Sequence, residues 1–161
     1  MKFVKDSYDK HNEWAIEKVS QYLKHRGYVI HDKSEEDYGI DIVAEKNGKI
    51  INVEAEAKEE YPWQDIESFK FPTVSFLARK RKWKATNFWY FIVCRETDAM
   101  LVGNSDVIFR DEYLEHAHIN KGGRHGSDSF YRVPKELLMF ISGYDKGYET
   151  SYRPWPRYAF L

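Results

Sequence analysis

Among the charged residues of the segment 41–58, three carboxylates and one lysine have types and spacing that could support chemistry. Asp41 is followed by Glu54, Glu56 and Lys58, and the last three alternate with apolar residues, which places them on one face of a β-strand. Carboxylate oxygens are ligands that Mg²⁺ and Mn²⁺ prefer. A cation held by them can lower the pKa of a bound water and neutralise charge on phosphoryl oxygens. These residue types at this spacing therefore suit metal-dependent cleavage of a phosphate ester.

The dipeptide Asn47-Gly48 predicts the turn that brings Asp41 to the other acidic side chains. Asn-Gly is the strongest short hairpin signal, because both residues tolerate positive φ. A two-residue turn here places Asp41 directly opposite Glu54, with their β-carbons about 4.5–5.5 Å apart. Opposed like charges destabilise a sheet, more so when buried, and a divalent cation would remove that conflict. The alternative is a solvated sheet face, in which Glu and Lys form surface pairs worth about 0–1 kcal/mol.

The elements around this hairpin predict an α/β chain. Apolar residues at spacings of three and four over residues 12–26 indicate a helix, and the apolar run over residues 87–94 is typical of a strand buried on both faces. We predict further helices at residues 64–71 and 135–141, and a helix in preference to an extended arm at 73–83. We also predict a short strand at 28–30, short elements at 100–102 and 107–109, a flexible loop at 120–129 and a last strand at 130–133.

The order of these features resembles the PD-(D/E)XK nuclease superfamily. A helix ending in Gly-Tyr, a GID segment, a hairpin and an E-x-E-x-K strand are similar to the archaeal Holliday-junction resolvases and the Mrr-type restriction endonucleases, over roughly residues 12–60. The resemblance implies a restriction-endonuclease-like fold, a mixed central sheet of about five strands flanked by helices on both faces. We assign residues 1–142 to this nuclease-like domain and residues 143–161 to an aromatic tail packed on it.

The resemblance also implies an activity, a Mg²⁺- or Mn²⁺-dependent endonuclease that hydrolyses DNA phosphodiester bonds. Asp41 carries over directly as a metal ligand. In a tight hairpin Glu54 takes the family's Glu position and Glu56 its Lys position, whereas in a bulged hairpin Glu56 and Lys58 form the standard pair. We therefore expect Asp41, Glu54 and Glu56 to hold metal, and Lys58 to support the water or the transition state. The family often adds a glutamate from the first helix, for which Glu17 is our candidate.

A basic segment follows the predicted active site. Arg79, Lys80, Arg81 and Lys82 precede Trp83, so the segment can contact phosphates while the indole stacks on a base. A charge run is also compatible with an ordinary solvated face. We expect DNA contact here, with RNA not excluded as a substrate.

Composition limits the remaining possibilities. The net charge is −1, from 25 basic and 26 acidic residues, which argues against a wholly basic nucleic-acid coat but leaves room for a local patch. Cys94 is the only cysteine, so no internal disulfide forms. No signal-peptide pattern or apolar run of about 20 residues is present, so we expect a cytoplasmic protein with no membrane partner. A homodimer is compatible with cleavage of two strands. A catalytically inactive DNA-binding module and an interaction protein are the alternative functions.

Overall fold

The computed structural model describes residues 2–32, 39–58, 61–118, 127–156, 158 and 161. Their helices are α1 (Lys2–His25), the four-residue α2 (Ser105–Ile108) and 3-10 helices at Ala78–Trp83, Asp111–Tyr113, Lys135–Leu137 and Tyr144–Lys146. Their strands are β1 (Val29–His31), β2 (Ile42–Lys46), β3 (Lys49–Lys58), β4 (Thr73–Leu77), β5 (Phe88–Cys94), β6 (Met100–Asn104), β7 (Leu114–His118), β8 (Ser127–Pro134), β9 (Met139–Ile141) and β10 (Thr150–Tyr152).

Two sheets organise these strands. The main sheet has seven strands in the order β1-β2-β3-β5-β6-β9-β10. It is mixed, because β3 and β5 run parallel while the other neighbours are antiparallel. A second, antiparallel sheet has the order β4-β8-β7. The α/β class is therefore confirmed, with a main sheet of seven strands where we expected about five.

Different layers cover the two faces of the main sheet. α1 packs on one face through Ala15, Val19 and Tyr22, in the same apolar cluster as Ala55 of β3 and Phe91 of β5. The other face carries the second sheet and α2, with side chains of β4, β8 and β5 in a shared cluster. We expected helices on both faces of the main sheet. In the described residues the second face is instead covered mostly by the second sheet, with the short helix α2 beside it.

The central strand of the main sheet agrees with its sequence pattern. All seven residues of β5 are buried, as expected for an apolar run between two layers. The 12–26 helix and the short strand before the hairpin are also confirmed, with α1 beginning earlier, at Lys2. Because β5 lies beside β3 in parallel register, it supports the strand that carries the candidate site.

Two of the predicted helices are wrong, and at residues 73–77 the extended alternative is confirmed in place of the helix that we favoured. Residues 64–71 form a single turn in which Ser68 Oγ accepts the backbone N–H groups of Gln64 and Asp65. The first part of the predicted 73–83 helix is β4, where Val74 and Phe76 are buried between half-exposed neighbours, a period of two rather than 3.6. The predicted 135–141 helix is a 3-10 turn followed by the buried strand β9.

The C-terminal third also differs from expectation. β8 is not the last strand, since β9 and β10 follow it and extend the main sheet. Residues 127–129 of the predicted 120–129 loop belong to β8, and the rest of that loop lies outside the described residues. In the tail, Tyr158 and Leu161 are buried in the cluster beneath α1.

One finding concerns membranes. Across the described ranges of the chain, no helix combines the length and the apolar character required to cross a bilayer. The described α1 is long enough in residues, but its sequence is rich in charged side chains.

Candidate active site

The β2–β3 hairpin sets the position of the acidic side chains. Its turn residues Asn47 and Gly48 have φ of 52° and 78°, in the left-handed region that this dipeptide favours. The pairing runs without a register shift from the turn to Ile42 opposite Val53. The tight hairpin is therefore confirmed, and Glu54 is the strand residue that comes level with Asp41.

Asp41 and Glu54 interact across this register. Asp41 Oδ2 accepts the backbone N–H of Ala55 at 2.9 Å, which anchors its carboxylate beside Glu54. Glu54 is only 6% exposed. Burial, the charge of Asp41 and a hydrogen bond with the Asp41 side chain together raise the pKa of Glu54 from its usual 4.5 to about 8, although Lys80 opposes the rise. The two carboxyl groups thus form a close pair in which Glu54 is buried and Asp41 is half-buried.

Lys80 supplies the cation beside this pair. Its Nζ lies 3.0 Å from Glu54 Oε1 and 3.4 Å from the carbonyl oxygen of Gly39. The sequence grouped Lys80 with the phosphate-contacting residues, but the structure directs it inward. β4 lies in the second sheet, where the carbonyl oxygen of Ser75 contacts Lys58 of β3, and it leads directly into the 3-10 helix at 78–83, so a residue remote in sequence arrives next to Glu54.

Glu56 and Lys58 continue along the same face of β3. Glu56 Oε2 accepts a hydrogen bond from Tyr90 Oη at 2.7 Å, and Lys58 Nζ donates to the carbonyl oxygen of Ser75 at 3.1 Å. Both side chains line a cleft of about 640 Å³ between the two sheets. Lys58 is therefore engaged away from the Asp41–Glu54 pair, and Tyr90 is a site residue that the sequence analysis missed, because its apolar strand predicted only core.

Glu17 is not brought to the carboxylates. It is exposed on α1, where Gln21 Nε2 contacts its Oε1 at 3.5 Å. The buried positions Ala15 and Val19 face the main sheet, and at 100° per residue Glu17 points to the opposite side of the helix. In addition, α1 covers the face of β3 that carries Ala55, whereas Glu54 points to the other face.

The remaining basic residues form a surface next to the site. Arg79, Arg81 and Lys82 are exposed on the 3-10 helix, and Arg81 also donates to Tyr131 Oη at 3.1 Å. Trp83 is half-buried, with Lys82 Nζ 5.5 Å from its ring centroid. Its ring packs beside Gly39, where an added Cβ would lie 3.7 Å from Trp83 Cζ2. Trp83 therefore supports the segment that leads into Asp41.

The metal-ligating capacity of the site resides in the carboxylate pair. Within the part of the chain that the structure describes, no three His, Cys, Asp or Glu side chains are grouped so that they could hold one metal ion together. Glu56, expected as a third ligand, is engaged with Tyr90 instead. A cation bound here would therefore have Asp41 and Glu54 as its protein carboxylates and need further ligands from water or substrate.

No family model matches this chain, and the curated proteins and the solved structures contain no match either.

The raised pKa of Glu54 predicts a pH dependence of stability. Below pH 4.5 the side chain is protonated in the folded and unfolded states, and between about 4.5 and 8 only the unfolded chain releases the proton. The contribution of Glu54 to the free energy of unfolding therefore falls as pH rises through this window, by an amount of the order of a few kcal/mol.

Urea unfolding in EDTA at pH 5 and pH 8 measures this effect. The change in the free energy of unfolding from pH 5 to pH 8 is taken for each protein separately, which cancels the cost of the substitution itself. This free energy should fall more in the wild type than in Glu54→Gln. Equal losses in the two proteins would contradict the prediction.

Proposed function

We propose that this protein is a metal-dependent endonuclease that hydrolyses DNA phosphodiester bonds, with a restriction-endonuclease-like site of the PD-(D/E)XK type. The observation that carries the proposal is the pairing of Asp41 with the buried Glu54 across a tight hairpin. Two carboxyl groups held in this way are poorly tolerated without a cation. In this register Glu54 takes the Glu position of the motif, and Glu56 takes its Lys position.

The donor set fits Mg²⁺ or Mn²⁺. Glu54 Oε2 is buried and accepts no hydrogen bond from the described residues, and Asp41 lies close enough to repel its charge. Asp41 and Glu54 would hold the cation, with the remaining positions left to water and substrate oxygens. When bound, such an ion supplies a water of lowered pKa and neutralises charge on the phosphoryl group.

The chain's own side chains supply the other functions. Glu56 is fixed by Tyr90 Oη and faces the open cleft, where its carboxylate can accept a proton from the attacking water. Lys80 takes the role that the sequence gave to Lys58, because it is the ammonium beside Glu54. Once another cation neutralises Glu54, Lys80 is available to stabilise negative charge on the scissile phosphate.

Cleavage assays test the proposal directly. Linear, nicked and branched DNA are incubated with the protein and Mg²⁺, Mn²⁺ or EDTA, in parallel with Glu54→Gln. We expect cleavage that needs a divalent cation and is lost in the variant. Cleavage that continues in EDTA, or in Glu54→Gln, would exclude this site as its source.

The exposed cations of the 3-10 helix predict a salt-dependent affinity for DNA. If Arg79 and Lys82 each neutralise one phosphate, the double variant Arg79→Ala/Lys82→Ala should reduce the slope of log affinity against log salt by about 2 on duplex DNA. The control Lys24→Ala/Arg153→Ala removes the same charge from exposed positions on α1 and after β10. Fluorescence anisotropy in EDTA at several salt concentrations measures both slopes, and equal slopes for the two double variants would contradict the assignment.

One observation favours a second candidate, a DNA-binding module without catalysis. Lys80 already offsets the charge of Glu54 from within the protein, and the Lys58 ammonium group donates to the carbonyl oxygen of Ser75, so cations of the chain itself accompany the acidic residues. This module would bind DNA with a salt-sensitive affinity. Mg²⁺ would then neither promote cleavage nor raise the melting temperature.

A further inference from the structure

The cleft beside Glu56 has a chemical character of its own. It lies between the end of β3, residues 61–72 and the second sheet, and its volume of about 640 Å³ is in the range of small-ligand pockets, roughly 300–1,000 Å³. Its walls combine aromatic rings with a carboxylate and two cations, Glu56, Lys58 and Arg132. These charged side chains distinguish the cleft from a gap in the apolar core.

The aromatic wall presents an exposed ring. Phe71 is 41% exposed, although its ring is held by an edge contact with Tyr61 at 5.2 Å and by Phe69 at 6.4 Å. Lys70 Nζ lies 5.3 Å from the centroid of the same ring. A ring fixed by neighbours, open on one side and accompanied by an ammonium group is suited to stacking on a nucleobase beside its phosphate.

Two cations of the cleft, Lys58 and Arg132, lie next to Ser75 of β4. Lys58 Nζ donates to the Ser75 carbonyl oxygen, and Arg132 is the residue paired with Ser75 in the second sheet. The pair Arg132–Glu115 is half-exposed on both sides, so Arg132 can exchange this partner for a phosphate at little cost.

The cleft is continuous with the carboxylate pair. Glu56 lines the cleft, and Glu54 is two residues earlier on the same face of β3, a separation of about 6.6–6.8 Å along a strand. A nucleotide in the cleft would therefore bring its neighbouring phosphodiester to Asp41 and Glu54. In an intact duplex the faces of the bases are stacked on one another, so only an unpaired base can use Phe71.

We propose that this cleft binds one unpaired nucleotide of the DNA strand to be cut, with its base on Phe71 and its phosphate at Lys58 and Arg132. The inference rests on the proposed nuclease function and narrows its substrate to DNA with a single-stranded segment, such as a flap, a splayed end or a branch. Fully paired DNA would then contact only the basic 3-10 helix.

Binding measured in EDTA tests the cleft separately from catalysis. Fluorescence anisotropy is recorded with a labelled single strand, a splayed duplex and a blunt duplex for the wild type, Phe71→Ala and Phe71→Trp. The control Tyr144→Ala removes another exposed ring, 63% exposed, from a different part of the surface. Thermal unfolding checks that each variant is folded.

We expect Phe71→Ala to weaken binding of the single strand and the splayed duplex about 5- to 150-fold, the effect of one stacked base. Phe71→Trp should retain the affinity, and Tyr144→Ala and the blunt duplex should show no change. Equal losses on all three DNAs, or no loss with Phe71→Ala, would overturn the inference.

Parallel cleavage assays in Mg²⁺ separate the two proposals. Cleavage that needs Glu54 but ignores Phe71 would leave the nuclease function standing and overturn the cleft. Binding of single strands that depends on Phe71, without cleavage of any DNA, would support the cleft as a nucleotide site and overturn the nuclease.

Discussion

Replacing Asp41 by asparagine is expected to abolish metal-dependent DNA cleavage while leaving the protein folded and no less stable. Asparagine keeps an oxygen that can accept the backbone N–H of Ala55, the contact that Asp41 makes at 2.9 Å. The substitution removes the negative charge that helps to raise the pKa of Glu54, so the folded state loses a repulsion. The cleavage rate should fall by at least about 10²–10³-fold, the usual effect of removing one essential electrostatic partner.

Two measurements separate the effect on activity from the effect on stability. Single-turnover cleavage of splayed DNA in Mg²⁺ gives the rate, and urea unfolding in EDTA gives the free energy. Asp111→Asn is the matched control, because it removes the same charge from an exposed position on the 3-10 helix at 111–113. Retention of cleavage by Asp41→Asn, or a large loss of its stability in EDTA, would contradict the proposed site.

Replacing Lys80 by methionine is expected to lower the free energy of unfolding by an amount that depends on pH. Lys80 is the cation within 3.0 Å of the buried Glu54. Removing one partner of a buried ion pair costs about 3–5 kcal/mol when the other stays charged. At pH 9 Glu54 is ionised in the wild type but takes up a proton once Lys80 is removed, which limits the loss to about 1–2 kcal/mol, whereas at pH 5 Glu54 is protonated in both proteins and the loss should be much smaller.

Divalent cations should rescue this variant. If Mg²⁺ can neutralise Glu54 in place of the ammonium group, it should raise the melting temperature of Lys80→Met at pH 9 more than that of the wild type. The neighbouring Lys82→Met is the control, since Lys82 is exposed. Equal responses of the two variants to pH and Mg²⁺ would mean that Lys80 does not neutralise the carboxylate pair.

The local features around the site could be predicted from the sequence because they depend on short-range geometry. Asn47 and Gly48 fix a two-residue turn, and the alternation of β3 separates Ala55 from Glu54 on opposite faces. The burial of β5 followed from its uninterrupted apolar run. In each case the residues that determine the structure are neighbours along the chain.

The partners of the acidic side chains could not be predicted in this way. Lys80 was assigned to a basic surface because its neighbours are basic, and only the path from β4 into the following 3-10 helix directs it to Glu54. Glu56 was expected beside a metal ion, but β5 lies parallel to β3 and brings Tyr90 to it. These contacts depend on the packing of strands that are distant in sequence.

The sequence by itself therefore determined the Asn47-Gly48 turn and the face on which Glu54, Glu56 and Lys58 lie, while a tight and a bulged register both remained open. Only the tertiary structure decided how these charges are neutralised and which of them face a cleft. The physical reason is that a turn and a strand's alternation are set by adjacent residues, whereas the burial and the pKa of a carboxylate are set by whatever elements the fold packs against it.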